Sequence, residues 1–171
     1  MLNDVSIFAS IDHPDVKKVL SESNVDYFIA AGEPEKRRDL QKSVGEMREK
    51  PPTNAVHRNA FISTYASIGF GNLINAGVVL NANVSLGDSN FLHSAVSVEP
   101  DAAIGSFCTI NSGVRIGSNT EIQDEVFIGT GAVIYPGVKI GKAAIIGAGS
   151  VVLRSVPAGK TVFGNPAMEA K

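Results

Sequence analysis

Every sixth residue from Val56 to Val152 is aliphatic, without exception or insertion. A period of six fits neither the 3.6-residue repeat of a helix nor the two-residue alternation of a simple strand. It does fit a chain that winds into coils of three short strands separated by tight turns. The pattern therefore predicts a β-solenoid. Because three six-residue units make one coil, the 17 aliphatic positions describe nearly six coils.

The other positions of the six-residue unit support this interpretation. Two residues before each aliphatic the side chain is usually small or β-branched, which suits a second inward position, with Asn72 and Asn90 as exceptions. The residue just after the aliphatic is often glycine or asparagine, at Gly69, Gly87, Gly105, Gly117, Gly129, Gly141, Gly147, Asn75, Asn81 and Asn111. Because these residue types accept positive φ, we expect them to form sharp corners that stack about 4.8 Å apart.

Charge is distributed unevenly along the 171 residues, since 18 of the 32 charged side chains lie in residues 1–50. This indicates a separate unit joined to the solenoid near Pro51 and Pro52. Within it we predict strands at 5–9 and 25–31 and helices at 14–22 and 35–50, an order typical of a small parallel α/β unit. The predicted units are therefore 1–52, a solenoid over 53–155, and a C-terminal capping segment over 156–171.

Composition excludes several classes of function. A net charge of -2 and a pI near 5.9 argue against nucleic acid as a partner. We see neither a signal peptide nor an apolar stretch long enough to span a membrane, so we expect a cytoplasmic protein without a membrane partner. The sole cysteine, Cys108, excludes an internal disulfide and is expected to point into the core.

The flat faces of the predicted solenoid carry aromatic residues at Phe91, Phe107 and Phe127, of which Phe91 and Phe127 are two coils apart. Exposed apolar side chains on these faces suggest that faces of different copies meet. A cyclic homotrimer is the natural closed assembly for a three-sided prism.

Three segments resemble a known family: Gly147-Ala148-Gly149-Ser150-Val151-Val152, Val156-Pro157-Ala158-Gly159-Lys160 and Gly164-Asn165-Pro166-Ala167. Together with the six-residue repeats over residues 55–168 they resemble the hexapeptide-repeat acyltransferases, most of all the bacterial sugar acetyltransferases of the sialic acid O-acetyltransferase type. The resemblance implies a mainly β chain folded as a left-handed parallel β-helix. It also implies a homotrimer that moves an acetyl group from acetyl-CoA to an amino or hydroxyl group of a sugar or nucleotide sugar, in surface-polysaccharide biosynthesis.

The catalytic segment of this family aligns without gaps but lacks its base. The family has Asn-Thr, five residues, then His followed by an acid, whereas this chain has His93-Ser94 and then Pro100-Asp101. A second family histidine aligns with Thr109. We therefore hypothesise that His93 is a displaced base that meets Asp101 of a neighbouring subunit. The alternative is that His93 is an ordinary exposed corner histidine.

The resemblance also assigns binding residues. Those expected to contact acetyl-CoA are Asn111, Ser112, Gly113, Gly129, Thr130, Gly131, Gly147 and Ala148. On the acceptor side, Asp12 and Gly32 are candidates for contacting the sugar nucleotide, the alternative being that residues 1–52 form only a cap. His57 and His93 stack two coils apart, about 9.6 Å, which is too far to share one metal, so we expect no metal.

Two functions remain open at this point. The first is an acetyl-CoA-dependent acetyltransferase, indicated by the full solenoid and the C-terminal segments. The second is a catalytically inactive trimeric scaffold or regulatory protein, indicated by Pro100 and Thr109 at the two histidine positions of the family.

Overall fold

The computed structural model describes residues 14–22 and 24–170. Two helices precede the strands, α1 Pro14–Leu20 and α2 Pro34–Gly45. Both helices were predicted, and both end earlier than expected. The predicted strand at 5–9 lies outside the described residues. The strand predicted at 25–31 is wrong, because that segment pairs with no strand of the described chain.

Nineteen short strands in the described residues form three sheets, here called faces 1 to 3. Face 1 contains β1 Ala55–Val56, β4 Leu73–Ile74, β7 Phe91–Leu92, β10 Thr109–Ile110, β13 Phe127–Ile128, β16 Ile145–Ile146, β18 Thr161–Gly164 and β19 Ala167–Glu169. Face 2 contains β2 Phe61–Ile62, β5 Val79–Leu80, β8 Ser97–Val98, β11 Arg115–Ile116, β14 Val133–Ile134 and β17 Val151–Val152. Face 3 contains β3 Ser67–Ile68, β6 Ser85–Leu86, β9 Ala103–Ile104, β12 Glu121–Ile122 and β15 Lys139–Ile140.

From β1 to β17 the strands pair in parallel with the strands one coil away, as Thr109 with Phe127 and Ile116 with Ile134. Among these pairs the separation is always 18 residues, so the coil length read from the repeat is confirmed, whereas Ile146 pairs with Val162 only 16 residues further on. The chain is a three-sided prism of about six coils, which confirms the predicted mainly β fold, a left-handed parallel β-helix. Its corners are the turns between faces: the first corner follows face 1, the second follows face 2 and the third follows face 3.

The aliphatic repeat forms the core of the prism. From Ile74 onward the inward residues are buried almost without exposure, and the second inward position, as at Val78 and Val126, is equally buried. The first coil differs, since Val56 is 46% exposed. It is a terminal coil with a neighbour on one side only, and the repeat alone does not reveal this.

The structure corrects the role that we assigned to the corner glycines. Positive φ occurs three residues after the aliphatic, as at Gly77, Asn83 and Ala95, and not immediately after it. The glycines next to the aliphatic serve a close approach instead. A Cβ on Gly117 would lie 2.6 Å from the backbone nitrogen of Pro136 in the next coil. These positions are glycine because neighbouring turns stack without room for a side chain.

The two asparagines in the core belong to a ladder that explains their presence. The side-chain oxygens of Asn54, Asn72 and Asn90 each accept the backbone N–H of the residue one coil further on, the last being Cys108, at 2.8 Å. A buried polar side chain is tolerated when it is hydrogen-bonded. Asn therefore replaces a small or β-branched residue at the second inward position, and its side-chain oxygen satisfies a backbone N–H of the next coil.

The C-terminal segment extends the prism before closing it. Val156 forms a parallel bridge with Ile140, and β18 continues face 1 before pairing with β19 in an antiparallel hairpin. Unit boundaries at 52 and 155 stay a proposal. Pairing beyond residue 155 continues two of the three faces into the predicted capping segment.

A buried arginine attaches α2 to the prism. Arg37 is 0% exposed and its guanidinium lies 4.0 Å from the ring centroid of Phe91, which is itself stacked on Phe28. It donates hydrogen bonds to Ser89 O at 2.8 Å, Ala31 O at 2.8 Å, Gly32 O at 3.1 Å, Phe107 O at 3.2 Å, Cys108 O at 3.4 Å and Thr109 Oγ1 at 3.4 Å. Within the described chain all these acceptors are carbonyls or a hydroxyl. Burial lowers the pKa of Arg37 to about 10, so the guanidinium stays charged at neutral pH.

Docking of α2 also shows that the expected exposure of Phe91 is wrong. Phe91 is only 4% exposed, because Phe28 and Arg37 cover it, whereas Phe127 on the same face is 40% exposed. Face 1 is therefore occupied by the chain's own N-terminal unit over its middle coils. Of the helices in 14–22 and 24–170, none has the length and apolarity needed to cross a membrane.

The two kinds of corner glycine should respond differently to substitution. We expect Gly117→Ala to lower the free energy of unfolding by about 2 to 3 kcal/mol, because the new Cβ meets backbone that cannot move away. Gly137→Ala should cost about 1 kcal/mol or less, since only its positive φ opposes the side chain and nothing lies within 4 Å. Urea unfolding measures both, and equal losses would contradict the close-approach explanation.

The buried arginine should matter far more than its exposed neighbour. We expect Arg37→Met to cost about 3 kcal/mol, because buried carbonyls lose their donor. Its control is Arg38→Met, which removes only an exposed ion pair to Glu125 of 2.6 Å and should cost less than about 1 kcal/mol. Hydrogen exchange of the α2 amides gives the readout. Unchanged α2 protection in Arg37→Met would show that the helix is held by other contacts.

Candidate functional site

The first corner carries the row of residues that the repeat predicted. His93 follows β7, and its backbone N–H donates to Ile110 O at 2.9 Å. Equivalent bonds from Asn111, Gly129 and Gly147 to the next coil continue the row at 2.8 to 3.0 Å. The imidazole of His93 is half-buried at this corner. His93 therefore belongs to a continuous, hydrogen-bonded row that begins at His57 and passes through Asn75.

The eight residues expected to contact acetyl-CoA all lie on the first corner, in three successive coils. They are Asn111, Ser112, Gly113, Gly129, Thr130, Gly131, Gly147 and Ala148. Ser112, Thr130, Gly131 and Ala148 are exposed, and turns are linked by bonds such as Gly131 N to Ser112 O at 2.9 Å. We call residues 111–113, 129–131 and 147–148 the first-corner shelf. It is a surface of backbone and small side chains.

Asp101 lies at the second corner, not the first. It is exposed, adopts φ of 64°, and its Oδ1 accepts a hydrogen bond from Asn83 Nδ2 at 2.9 Å. Its neighbour Pro100 contributes a carbonyl that accepts Asn119 N at 3.1 Å. Face 2 separates Asp101 from His93 within one chain. One subunit therefore does not bring the two candidate catalytic residues together.

Thr109, aligned with the second family histidine, is a buried residue of face 1. Its hydroxyl oxygen accepts a hydrogen bond from Arg37 at 3.4 Å. This position is therefore covered by α2 and is closed to a substrate in the described structure. The sequence did not reveal Arg37 as a buried residue, because its helix is rich in charge and the arginine has no motif around it.

Of the two residues expected to contact the acceptor, the structure describes one. Asp12 lies outside the described residues. Gly32 is exposed, and its carbonyl is held by Arg37 at 3.1 Å, which fixes the turn before α2. Lys142 lies at the third corner and pairs with Glu125 at 3.4 Å. It is thus away from the shelf.

A cleft of about 360 Å³ opens where the start of α2 meets the prism. It is lined by Glu33, Pro34 and Glu35 on one side and by residues of face 1 and the third corner on the other, among them Phe127 and Ile145. Sequence reasoning missed it, because it exists only once Arg37 has docked the helix on face 1.

Metal and thiol chemistry have little support at these positions. Across 14–22 and 24–170, no cluster of three or more His, Cys, Asp or Glu side chains could hold a metal ion. Cys108 is fully buried, and desolvation raises the pKa of its thiol to about 12. The thiol is therefore neutral at physiological pH and belongs to the core.

Comparison with known proteins identifies what this architecture is similar to. The profile of the family described as bacterial transferase hexapeptide (six repeats) matches residues 119–154. No curated protein sequence matches the chain. Among solved structures, the acetyltransferase domain of PglB from Neisseria gonorrhoeae is 30% identical with a TM-score of 0.83, over 90% of this chain and 76% of that one. The same domain in complex with acetyl coenzyme A is 29% identical with a TM-score of 0.87, over 99% of this chain and 84% of that one.

Two further solved structures are similar to this chain. WeeI from Acinetobacter baumannii is 33% identical with a TM-score of 0.80, over 90% of this chain and 75% of that one. PerB from Caulobacter crescentus, in complex with CoA and GDP-perosamine, is 29% identical with a TM-score of 0.77, over 91% and 75%. At this identity and coverage, the chain belongs to the hexapeptide-repeat acetyltransferase family.

Proposed function

We propose that this chain is an acetyl-CoA-dependent acetyltransferase whose acceptor is an amino or hydroxyl group of a sugar or nucleotide sugar, in surface-polysaccharide biosynthesis. The observation that carries the proposal is the match over 99% of the chain, at a TM-score of 0.87, to an acetyltransferase domain in complex with acetyl coenzyme A. PerB, bound to CoA and GDP-perosamine, supports the class of acceptor. We further propose that the enzyme works as a homotrimer in the cytoplasm.

The first-corner shelf suits the pantetheine arm of acetyl-CoA. The turns of the shelf carry no large side chain, and Gly131 is exposed with nothing within 4 Å of the position that a Cβ would take. An extended arm with two amide groups can therefore lie close to the backbone. Glycine permits such close approach of a ligand to the main chain.

The chemistry asks little of the protein, because a thioester is already activated. The acceptor nitrogen or oxygen attacks the thioester carbonyl carbon, the new C–N or C–O bond forms, and the C–S bond breaks to release the CoA thiolate. A base must take the acceptor's proton, which can then pass to the thiolate. In this proposal His93 takes that proton, and alignment of the two substrates supplies the rest of the rate.

The partner of His93 is Asp101 of a neighbouring subunit. Their positions at the first and second corners are compatible with this, because a cyclic trimer in which one subunit's first corner packs against its neighbour's second corner would bring the two residues together. A carboxylate beside the imidazole would orient it and stabilise its protonated form. Asp12 and the exposed turn at Gly32 are proposed to face the acceptor, the latter held in place by Arg37.

An inactive trimeric scaffold is the second candidate, and two observations favour it. Pro100 offers no proton acceptor at the family's base position, and Thr109 is buried beneath Arg37 at the second histidine position. Such a protein could retain the shelf and bind acetyl-CoA without turning it over. Activity measurements therefore separate the two candidates.

The first test is binding followed by turnover. We expect acetyl-CoA to bind in calorimetry, and thiol release to appear with a panel of amino sugars and nucleotide amino sugars. His93→Ala should lower kcat by about 100-fold or more, which is the usual contribution of a general base, and leave acetyl-CoA affinity nearly unchanged.

The matched control is His57→Ala, two coils earlier in the same row, where the ring accepts the N–H of Asn59 at 3.1 Å. Its rate should equal that of the unmodified protein. Binding without any turnover would favour the scaffold. Turnover that survives His93→Ala would remove His93 from the proposed role.

The second test asks whether the site is shared between subunits. Neither His93→Ala nor Asp101→Asn alone should be active as a homo-oligomer. Mixed assemblies of the two variants should recover part of the activity, because some grooves pair an intact His93 with an intact Asp101 from the neighbour. The fraction recovered is measured after co-refolding at several ratios, and its absence at every ratio would contradict the shared site.

A further inference from the structure

Below the first-corner shelf an aromatic side chain continues the row of His93. The bond from Gly147 N to Val162 O at 2.8 Å and the register of Ile146 with Val162 place Phe163 directly after Gly147 in this row. Because Val162 points into the core, Phe163 points outward, and it is 57% exposed. An aromatic ring thus lies at the C-terminal end of the first corner, whose preceding two coils carry small residues.

The hairpin between β18 and β19 broadens this apolar surface. Phe163 pairs with Met168 across the antiparallel strands, so their side chains share one side of the hairpin. Met168 is also largely exposed. A thioether and a phenyl ring side by side offer a flat, polarisable surface of the kind on which aromatic bases stack.

The length of the row fits one extended ligand. Five successive strands of the row carry His93, Asn111, Gly129, Gly147 and Phe163. Four interstrand spacings of about 4.8 Å separate the first from the last, which gives about 19 Å. In the proposed function the reacting thioester lies near His93. The opposite end of an extended coenzyme, where the adenine is, then reaches the rung of Phe163.

We propose that Phe163, with Met168 beside it, is the stacking platform for the adenine of acetyl-CoA. This rests on the proposed function and extends it, since it assigns the nucleotide end of the coenzyme to the C-terminal hairpin. The shelf then contacts the pantetheine arm through backbone, and the hairpin supplies the one large apolar contact. Removing either side chain leaves the shelf itself unchanged.

The test compares Phe163→Ala with a control of equal exposure. Phe61 on β2 of the first coil is 58% exposed and lies at the other end of the prism, so Phe61→Ala matches the chemical change away from the row. Calorimetry is done with three ligands: acetyl-CoA, acetyl-dephospho-CoA, which retains adenine, and acetyl-4′-phosphopantetheine, which lacks it.

We expect Phe163→Ala to weaken binding of both adenine-containing ligands by about tenfold or more, the usual effect of removing a base-stacking aromatic. Binding of acetyl-4′-phosphopantetheine should not change, Phe163→Trp should restore affinity, and Phe61→Ala should have no effect. Equal losses for all three ligands, or none, would overturn the proposal.

Two outcomes distinguish failure of the adenine platform from failure of the proposed acetyltransferase function. If the unmodified protein binds none of the three ligands, the proposed function fails and the platform fails with it. If it binds them all and Phe163→Ala instead dissociates the assembly in light scattering, the aromatic contacts a second copy of the chain. That result would overturn the platform while leaving the acetyltransferase proposal intact.

Discussion

The parallel backbone ladder of the prism is the constraint on which the rest of the structure depends. Each turn bonds to the turn of the next coil, as His93 N to Ile110 O and Gly131 N to Ser112 O. A ladder of this kind leaves no freedom to insert a residue, because one extra residue would turn inward side chains to the surface. It therefore fixes which residues share a row, and the candidate site is one such row.

Attachment of the N-terminal unit depends on a different interaction. Arg37 is a buried cation surrounded by carbonyls, and the Phe91 ring lies against its plane. Charge-assisted bonds to carbonyls offset the loss of hydration that lowers its pKa. By holding the carbonyls of Ala31 and Gly32, the same side chain fixes the turn that forms one wall of the cleft. One residue thus connects the acceptor side to the prism.

Sequence reasoning succeeded where the ladder dictates the outcome and failed where packing between units decides it. Inward aliphatics, the 18-residue coil and the grouping of Asn111, Gly129 and Gly147 on one corner follow from periodicity alone. The corner glycines were assigned the wrong reason, because the repeat cannot distinguish positive φ from close approach. Phe91 was expected to be exposed, since nothing in its own six-residue unit shows that α2 covers it.

The sequence by itself determined the prism, its coil length and the row that contains His93, because a six-residue period sets which residues share a face and a corner. Only the tertiary structure decided that Arg37 is buried, that Thr109 lies beneath it, and that Phe163 continues the row of glycines. These depend on contacts between segments outside the repeat. A helix rich in charge and a hairpin without periodicity carry no register that could reveal their neighbours in advance.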